Sequence, residues 1–168
     1  MLRRIKDFIK TTPVYDSIKD RRQRKILFLW EMSSAPRIGP LPHIFKRFTI
    51  KDYASKFDCR VLIETGTFEG DMIKSCLNFF DRIISIELDG YFFERANRLF
   101  KNEGKVRIVH GDSGTKLLEI LPTLSEKALF WLDGHYSGGT TAKGSLDTPI
   151  SLEIEHILNH KIQDHVIL

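Results

Sequence analysis

Cysteine is scarce in this chain of 168 residues, which carries only Cys59 and Cys76. The two have no CxxC spacing and no histidine beside them, so a disulfide scaffold and a sequence-local zinc site are both disfavoured, and reduced thiols are expected. Long apolar runs are lacking too. The run Ile26-Leu27-Phe28-Leu29-Trp30 is far shorter than the roughly 20 residues of a membrane span and too internal for a signal peptide. No membrane span and a cytoplasmic location are therefore expected. Internal repeats and low-complexity tracts are also missing. What is present is an ordinary globular composition, 42% hydrophobic and 29% charged, in a length that suits one domain with a real core.

The net charge of +4 conceals an asymmetry. Residues 1–60 hold 15 Lys+Arg against 6 Asp+Glu, a balance of +9, and residues 61–168 hold 11 against 16, a balance of −5. A run such as Arg21-Arg22-Gln23-Arg24-Lys25 could meet phosphate on RNA, an anionic substrate or a membrane surface. No aromatic stacking pattern or nucleic-acid motif accompanies it, so a solvated helix face is the plainer expectation and nucleic acid the lesser one.

Residues 1–58 read as helices separated by loops, a cap or interaction segment. One helix is expected over Tyr15–Met32 and a second over His43–Lys56, divided by the breaker run Ser33–Pro42 with its three prolines and one glycine. From residue 59 onward, strand and helix patterns alternate, the signature of a parallel sheet covered by helices. Strands are expected at Arg60–Glu64, Arg82–Glu87, Val106–His110, Ala128–Asp133 and His165–Leu168. Apolar residues at helical spacing fill the intervals: Met72, Ile73, Cys76, Leu77 and Phe80, then Phe93, Ala96, Leu99 and Phe100, then Leu117, Leu118 and Leu121. Asp89 and Ser113 sit where N-caps belong. A last helix is expected over Pro149–Asn159, with Glu153 and Glu155 on its surface, although Glu153 could face the site. The fold class that follows is α/β, a Rossmann-like doubly wound sheet over residues 59–168.

Sheets of this kind bind ligands at the carboxyl ends of their strands, and most of these strands deliver a polar residue there. After the first, Glu64-Thr65-Gly66-Thr67-Phe68-Glu69-Gly70 forms a glycine-bearing turn into a helix, where main-chain N–H groups can approach a ligand. After the second, the Glu87 carboxylate, followed by Leu88, can accept two hydrogen bonds from the vicinal hydroxyls of a ribose. After the third, Asp112 beside Ser113 could accept from the exocyclic amine of a purine. Asp133, after the fourth, would face the reacting end. A dinucleotide fingerprint needs G-x-G-x-x-G, and Phe68 stands where its second glycine would admit a pyrophosphate; Glu64 would repel one while favouring a cationic amino-acid moiety.

Taken together, these motifs over about Cys59–Leu168 resemble the class I S-adenosylmethionine-dependent methyltransferases. Glu64, Gly66 and Gly70 match that family's first motif, with Phe68 replacing the middle glycine. The resemblance implies that Glu64, Thr65, Gly66, Thr67, Phe68 and Gly70 surround the methionine part of S-adenosylmethionine. It further implies that Glu87 with Leu88 holds the ribose, that Asp112 with Ser113 flanks the adenine, and that Asp133 lies near the sulfonium or substrate. The run Trp131-Leu132-Asp133-Gly134-His135-Tyr136, with Asp147-Thr148-Pro149-Ile150 downstream, looks like the branch of macrocin-type sugar O-methyltransferases, in which a strand-four Asp helps bind a divalent metal. Asp133 would then also be a ligand for Mg2+. The acids that complete that site in the family follow strand five, and the chain stops at Leu168. The resemblance therefore implies a fold truncated after strand five, an exposed edge and a tendency to associate with further copies.

Three roles are open to His135: general base for a hydroxyl, metal ligand beside Asp133, or cofactor contact. Asp133 and His135 are thus the candidate catalytic residues. The expected activity is methyl transfer to a small-molecule acceptor, at a hydroxyl oxygen. A noncatalytic methyltransferase-like module that binds the cofactor is the alternative from another class, and an RNA methyltransferase is a third.

Overall fold

The computed structural model describes residues 43–134 and 149–168. The expected helix Tyr15–Met32, the Ser33–Pro42 linker, His135, Tyr136 and Asp147 all lie outside those residues. The unit that carries the sheet runs from Thr49 to Leu168. Its start precedes residue 59, the boundary expected from composition, because Ile50 and Ala54 are buried in the core on the helix α1, His43–Lys56.

In chain order, α1 is followed by β1 (Val61–Thr65), α2 (Asp71–Cys76), β2 (Arg82–Glu87), α3 (Gly90–Phe100), β3 (Val106–His110), α4 (Ser113–Ile120), β4 (Ala128–Leu132), α5 (Ile150–Leu158) and β5 (Val166–Ile167). All strand pairings are parallel, in the order β3-β2-β1-β4-β5. This is the expected doubly wound arrangement. The runs Val-Leu-Ile and Ile-Ile-Ser-Ile form its central strands because branched side chains fill a pleat covered on both faces.

Side chains alternate between the two faces along each strand. Leu62 and Ile83 pack with Ile73 and Cys76 of α2 and with Ala96 and Phe100 of α3. Val61, Ile63, Ile84 and Phe130 pack with Leu117 and Ile120 of α4 and Ile157 of α5. The chain therefore moves outward from β1 through β2 to β3 under one pair of helices, and from β4 to β5 under the other. The carboxyl ends of β1 and β4 flank the point where the winding reverses, and such a point opens a crevice.

Several local expectations shift by a residue or more. β1 begins at Val61 and includes Thr65, and Asp133 lies just beyond β4. α2 ends at Cys76, where Phe79 and Phe80 N–H both turn back to the Cys76 carbonyl, yet Phe80 remains buried. Asp112, not Ser113, occupies the N-cap of α4 and makes no capping bond with its side chain. Asp89 caps α3 as expected, its Oδ1 accepting from the N–H groups of Tyr91 at 2.8 Å and Phe92 at 3.1 Å. Both cysteines are buried and outside any disulfide among the described residues, and burial pushes the Cys59 thiol pKa up.

Candidate functional site

The ladders run one residue past the strands and fix how the chain leaves them. Gly66 N–H donates to the Ile86 carbonyl, Gly111 N–H to the Glu87 carbonyl and Asp133 N–H to the Thr65 carbonyl. The turns after β1, β2, β3 and β4 are thus held in line along one edge.

The turn after β1 has positive φ at Gly66 (86°), Phe68 (47°) and Gly70 (73°). At Gly66 the reason is space as well as dihedral angle: a Cβ there would lie 3.0 Å from the Asp133 carbonyl oxygen and 3.2 Å from Gly134 Cα. The β1 and β4 turns therefore pack backbone to backbone. Gly134 N–H closes the contact by donating to Thr65 Oγ1 at 3.2 Å.

Glu64 is only 3% exposed, and its Oε2 accepts from Ser85 Oγ at 2.7 Å. Since the Ser85 proton is committed there, the Thr67 hydroxyl is the donor in its 2.7 Å contact with Ser85. The motif's acid and its Thr67 consequently brace the turn from below. Glu87, 7% exposed, joins the β1 and β2 turns: its Oε2 accepts from Phe68 N–H at 2.7 Å and its Oε1 from Asp89 N–H at 2.9 Å. Each carboxylate oxygen keeps a further lone pair, so the group can still receive a diol. Leu88 is half-buried, and its carbonyl accepts from His110 Nε2 at 3.1 Å.

Asp112 is half-buried, and its side chain forms no hydrogen bond among the described residues. Ser113 is buried. Glu153 is the residue that pattern reading set on a helix surface, and that expectation is corrected: it is 1% exposed. Burial, reinforced by the Asp112 charge, raises its pKa above the usual carboxylate range, with the Ser113 and Thr65 hydroxyls opposing the rise. Its Oε1 has no hydrogen-bond partner among the described residues. The signal was available, because Glu153 lies four residues before the buried Ile157 and so shares its helix stripe.

Asp133 and Gly134 are half-buried at the β4 exit. Among the described residues no group of three His, Cys, Asp or Glu side chains gathers to hold a metal ion. The expected Mg2+ site at Asp133 therefore finds no further ligand cluster among the described residues. The residues suit an adenosyl cofactor better, with hydrogen-bond acceptors at Glu87 and Asp112.

No protein-family model matches the chain, and no curated protein sequence matches it. Solved structures do. A methyltransferase of Podospora anserina with bound S-adenosylhomocysteine shares 13% identity, with a TM-score of 0.55 over 94% of this chain and 69% of that one. An O-methyltransferase from Bacillus cereus, also with S-adenosylhomocysteine, shares 14% identity over 75% of this chain and 58% of that one, with a TM-score of 0.45. The 23S rRNA methyltransferase ErmE shares 17% identity over 70% of this chain and 43% of that one, again with a TM-score of 0.45. The chain spans 40 to 61% of the length of five such proteins. The fold is the Rossmann-like α/β fold of class I methyltransferases, as the Podospora match shows. No helix among the described residues is long and apolar enough to cross a membrane.

Proposed function

We propose that the chain binds S-adenosylmethionine in the crevice between β1 and β4 and directs methyl transfer to an oxygen of a small molecule. The observation that carries this reading is the order of groups along one sheet edge. The Gly66 turn packs on the Asp133 turn at the crevice, the Glu87 carboxylate lies one strand away, and Asp112 lies beyond it on the next strand exit. A long ligand laid across those exits would place its amino-acid part over the glycine turn, its ribose diol on Glu87 and its base amine on Asp112.

When bound, the sulfonium supplies an already activated methyl group. What remains for the protein is alignment and proton removal. Asp133 stands at the crevice wall, where it can orient an acceptor hydroxyl or draw its proton. His135, two residues on in sequence, is a second candidate base. A hydroxyl acceptor, of the sugar or polyol kind handled by macrocin-type enzymes, gives both residues a task.

The test is calorimetric titration of the chain with S-adenosylhomocysteine, with NAD as competitor and Glu87→Ala as control. Saturable binding that ignores NAD and vanishes in a folded Glu87→Ala variant is expected. A folded wild-type chain that binds no S-adenosylhomocysteine would sink the proposal.

A further inference from the structure

β2 reads Arg82-Ile83-Ile84-Ser85-Ile86-Glu87, and its one hydroxyl lies well inside a strand covered on both faces. Ser85 is 0% exposed. A hydroxyl buried there without partners would be costly where an aliphatic side chain would fill the pleat, so what it binds matters. Residues two apart on a strand share a face, which sets Ser85 between Glu87 and Ile83, the latter packed with α2 and α3.

Three successive residues of β2 hold three successive residues of the turn after β1. The Ile86 carbonyl accepts from Gly66 N–H at 2.9 Å. Ser85 Oγ accepts from the Thr67 hydroxyl at 2.7 Å, and Glu87 Oε2 accepts from Phe68 N–H at 2.7 Å. Ser85 also reaches back to β1, giving its own proton to Oε2 of Glu64, its register partner, at 2.7 Å. Thr67, Ser85 and Glu64 thus form a buried run of hydroxyl, hydroxyl and carboxylate, its donor directions set by the carboxylate end. Glu64 and Thr67 are each 3% exposed, which leaves little of either side chain for a ligand. Gly70 N–H donates to the Thr67 carbonyl at 2.9 Å and closes the turn into α2.

We propose that Ser85 is a positioning residue: from inside β2 it ties Thr67 to the Glu64 carboxylate and so sets the glycine turn on which the amino-acid part of the cofactor lies. The consequence for binding rests on the proposed function; the hold on Thr67 rests on the hydrogen bonds alone. Ser85 does not touch the cofactor in this scheme. It acts through Thr67, and Glu64 acts through Ser85.

The experiment compares the full chain with Ser85→Ala, Thr67→Val, Thr67→Ser and the Ser85→Ala/Thr67→Val double variant. The readouts are hydrogen exchange at the Gly70 amide, well below the melting temperature, and calorimetric affinity for S-adenosylhomocysteine. Gly111, whose N–H bonds the Glu87 carbonyl on the other side of β2, is the reference amide. Ser85→Ala should speed Gly70 exchange by about tenfold, the scale of one hydrogen bond, and leave Gly111 within about twofold. The same variant should weaken S-adenosylhomocysteine by about fivefold or more. Thr67→Val should lose in the same direction, and the double variant should be no worse than Ser85→Ala, because one interaction is not lost twice. Thr67→Ser keeps the hydroxyl and should restore both readouts to within about threefold of wild type. A hydroxyl that served stability alone would speed Gly70 and Gly111 together and leave the affinity unmoved, and that outcome overturns the proposal. So does wild-type Gly70 protection in a folded Ser85→Ala, or full additivity in the double variant. If Ser85→Ala fails to fold, wild-type Gly70 protection in Thr67→Val overturns it. Gly70 protection that follows Ser85 in a chain that never binds S-adenosylhomocysteine upholds the hold on the turn and removes the proposed function.

Discussion

The main-chain N–H of Phe68 donates to Glu87 Oε2 at 2.7 Å, and this contact explains how a phenylalanine comes to occupy a glycine's conformation. Phe68 has φ 47°, in the left-handed region that a side chain with a Cβ disfavours. A bond to a carboxylate is among the stronger hydrogen bonds, and it pins the Phe68 amide toward β2. The ring then rests on Phe92 at 4.6 Å between centroids. Position 68 departs from the methyltransferase motif in residue type, and its backbone is left-handed.

Replacement at this position separates strain from stacking. Phe68→Ala removes the ring contact and keeps the strain, so it should destabilise by about 1 kcal/mol. Phe68→Gly loses the same contact but relieves a dihedral cost of about 1 kcal/mol, and should be the more stable of the two. Urea denaturation of both variants measures the difference. An Ala variant as stable as the Gly variant would mean that the backbone at 68 is unstrained.

Gly66→Ala combines two penalties. The new methyl would meet the Asp133 carbonyl oxygen at 3.0 Å, and φ 86° suits no L side chain. Main-chain neighbours cannot swing aside as a flexible side chain would. A loss of about 2 kcal/mol or more is expected, together with loss of S-adenosylhomocysteine binding, because the β1 and β4 turns are forced apart. Calorimetric melting and titration report the two effects. Unchanged melting and unchanged affinity would show that the turns are not packed as described.

Much of the architecture was legible because local signals agreed with the global fold. β2, β3 and α1 fall on the expected residues, and the alternation of strands with helical periods fixed the doubly wound class. Strand ends also pointed to the carboxyl edge. Four features were not read correctly from the chain alone. The left-handed state of Phe68 arises from a hydrogen bond to a residue on another strand, which no local pattern encodes. Ser113 is buried because α4 packs on α5, a contact between distant segments that no local pattern encodes. Glu153 itself looked like surface because charge outweighed its place on the Ile157 stripe. The domain boundary moved because Ile50 and Ala54 sit in the core although the charge around them is basic.

Asp112 gives a specificity test of the base end. Its half-buried carboxylate, with no hydrogen bond among the described residues, should accept from the adenine amine. A hydrogen bond to a charged acceptor is worth about 1.5 to 3 kcal/mol, so S-adenosylhomocysteine should bind at least about tenfold more tightly than S-inosylhomocysteine, which offers a carbonyl there. In Asp112→Asn the amide can turn a donor toward that carbonyl, and the preference should shrink to about threefold or less. Competition calorimetry decides it. An undiminished preference in the variant would remove Asp112 from the base site.

His160 and His165 lie outside the cleft and set an acid limit on stability. His165 Nδ1 accepts from the Ala128 N–H at 3.0 Å, so its proton is on Nε2 and is donated to His160 Nδ1 at 2.8 Å. His160 Nε2 is buried with no hydrogen-bond partner among the described residues. Adding a proton to either ring would set donor against donor. Burial depresses both pKa values below 6.5, with Lys161 adding to the effect on His160 and His160 adding to that on His165. A depressed folded pKa means that the unfolded chain binds protons first. The stability held by the pair is therefore complete above about pH 6.5 and declines as pH falls through the folded pKa values, by up to about 1.4 kcal/mol per pH unit for each proton taken up. Urea midpoints measured from pH 8 down to pH 5 should fall in wild type, and more shallowly in His160→Asn, whose side-chain oxygen can replace Nδ1 as acceptor without titrating. Equal slopes in the two proteins, or an Nε2-unprotonated His165 by nitrogen NMR, would refute the assigned pair.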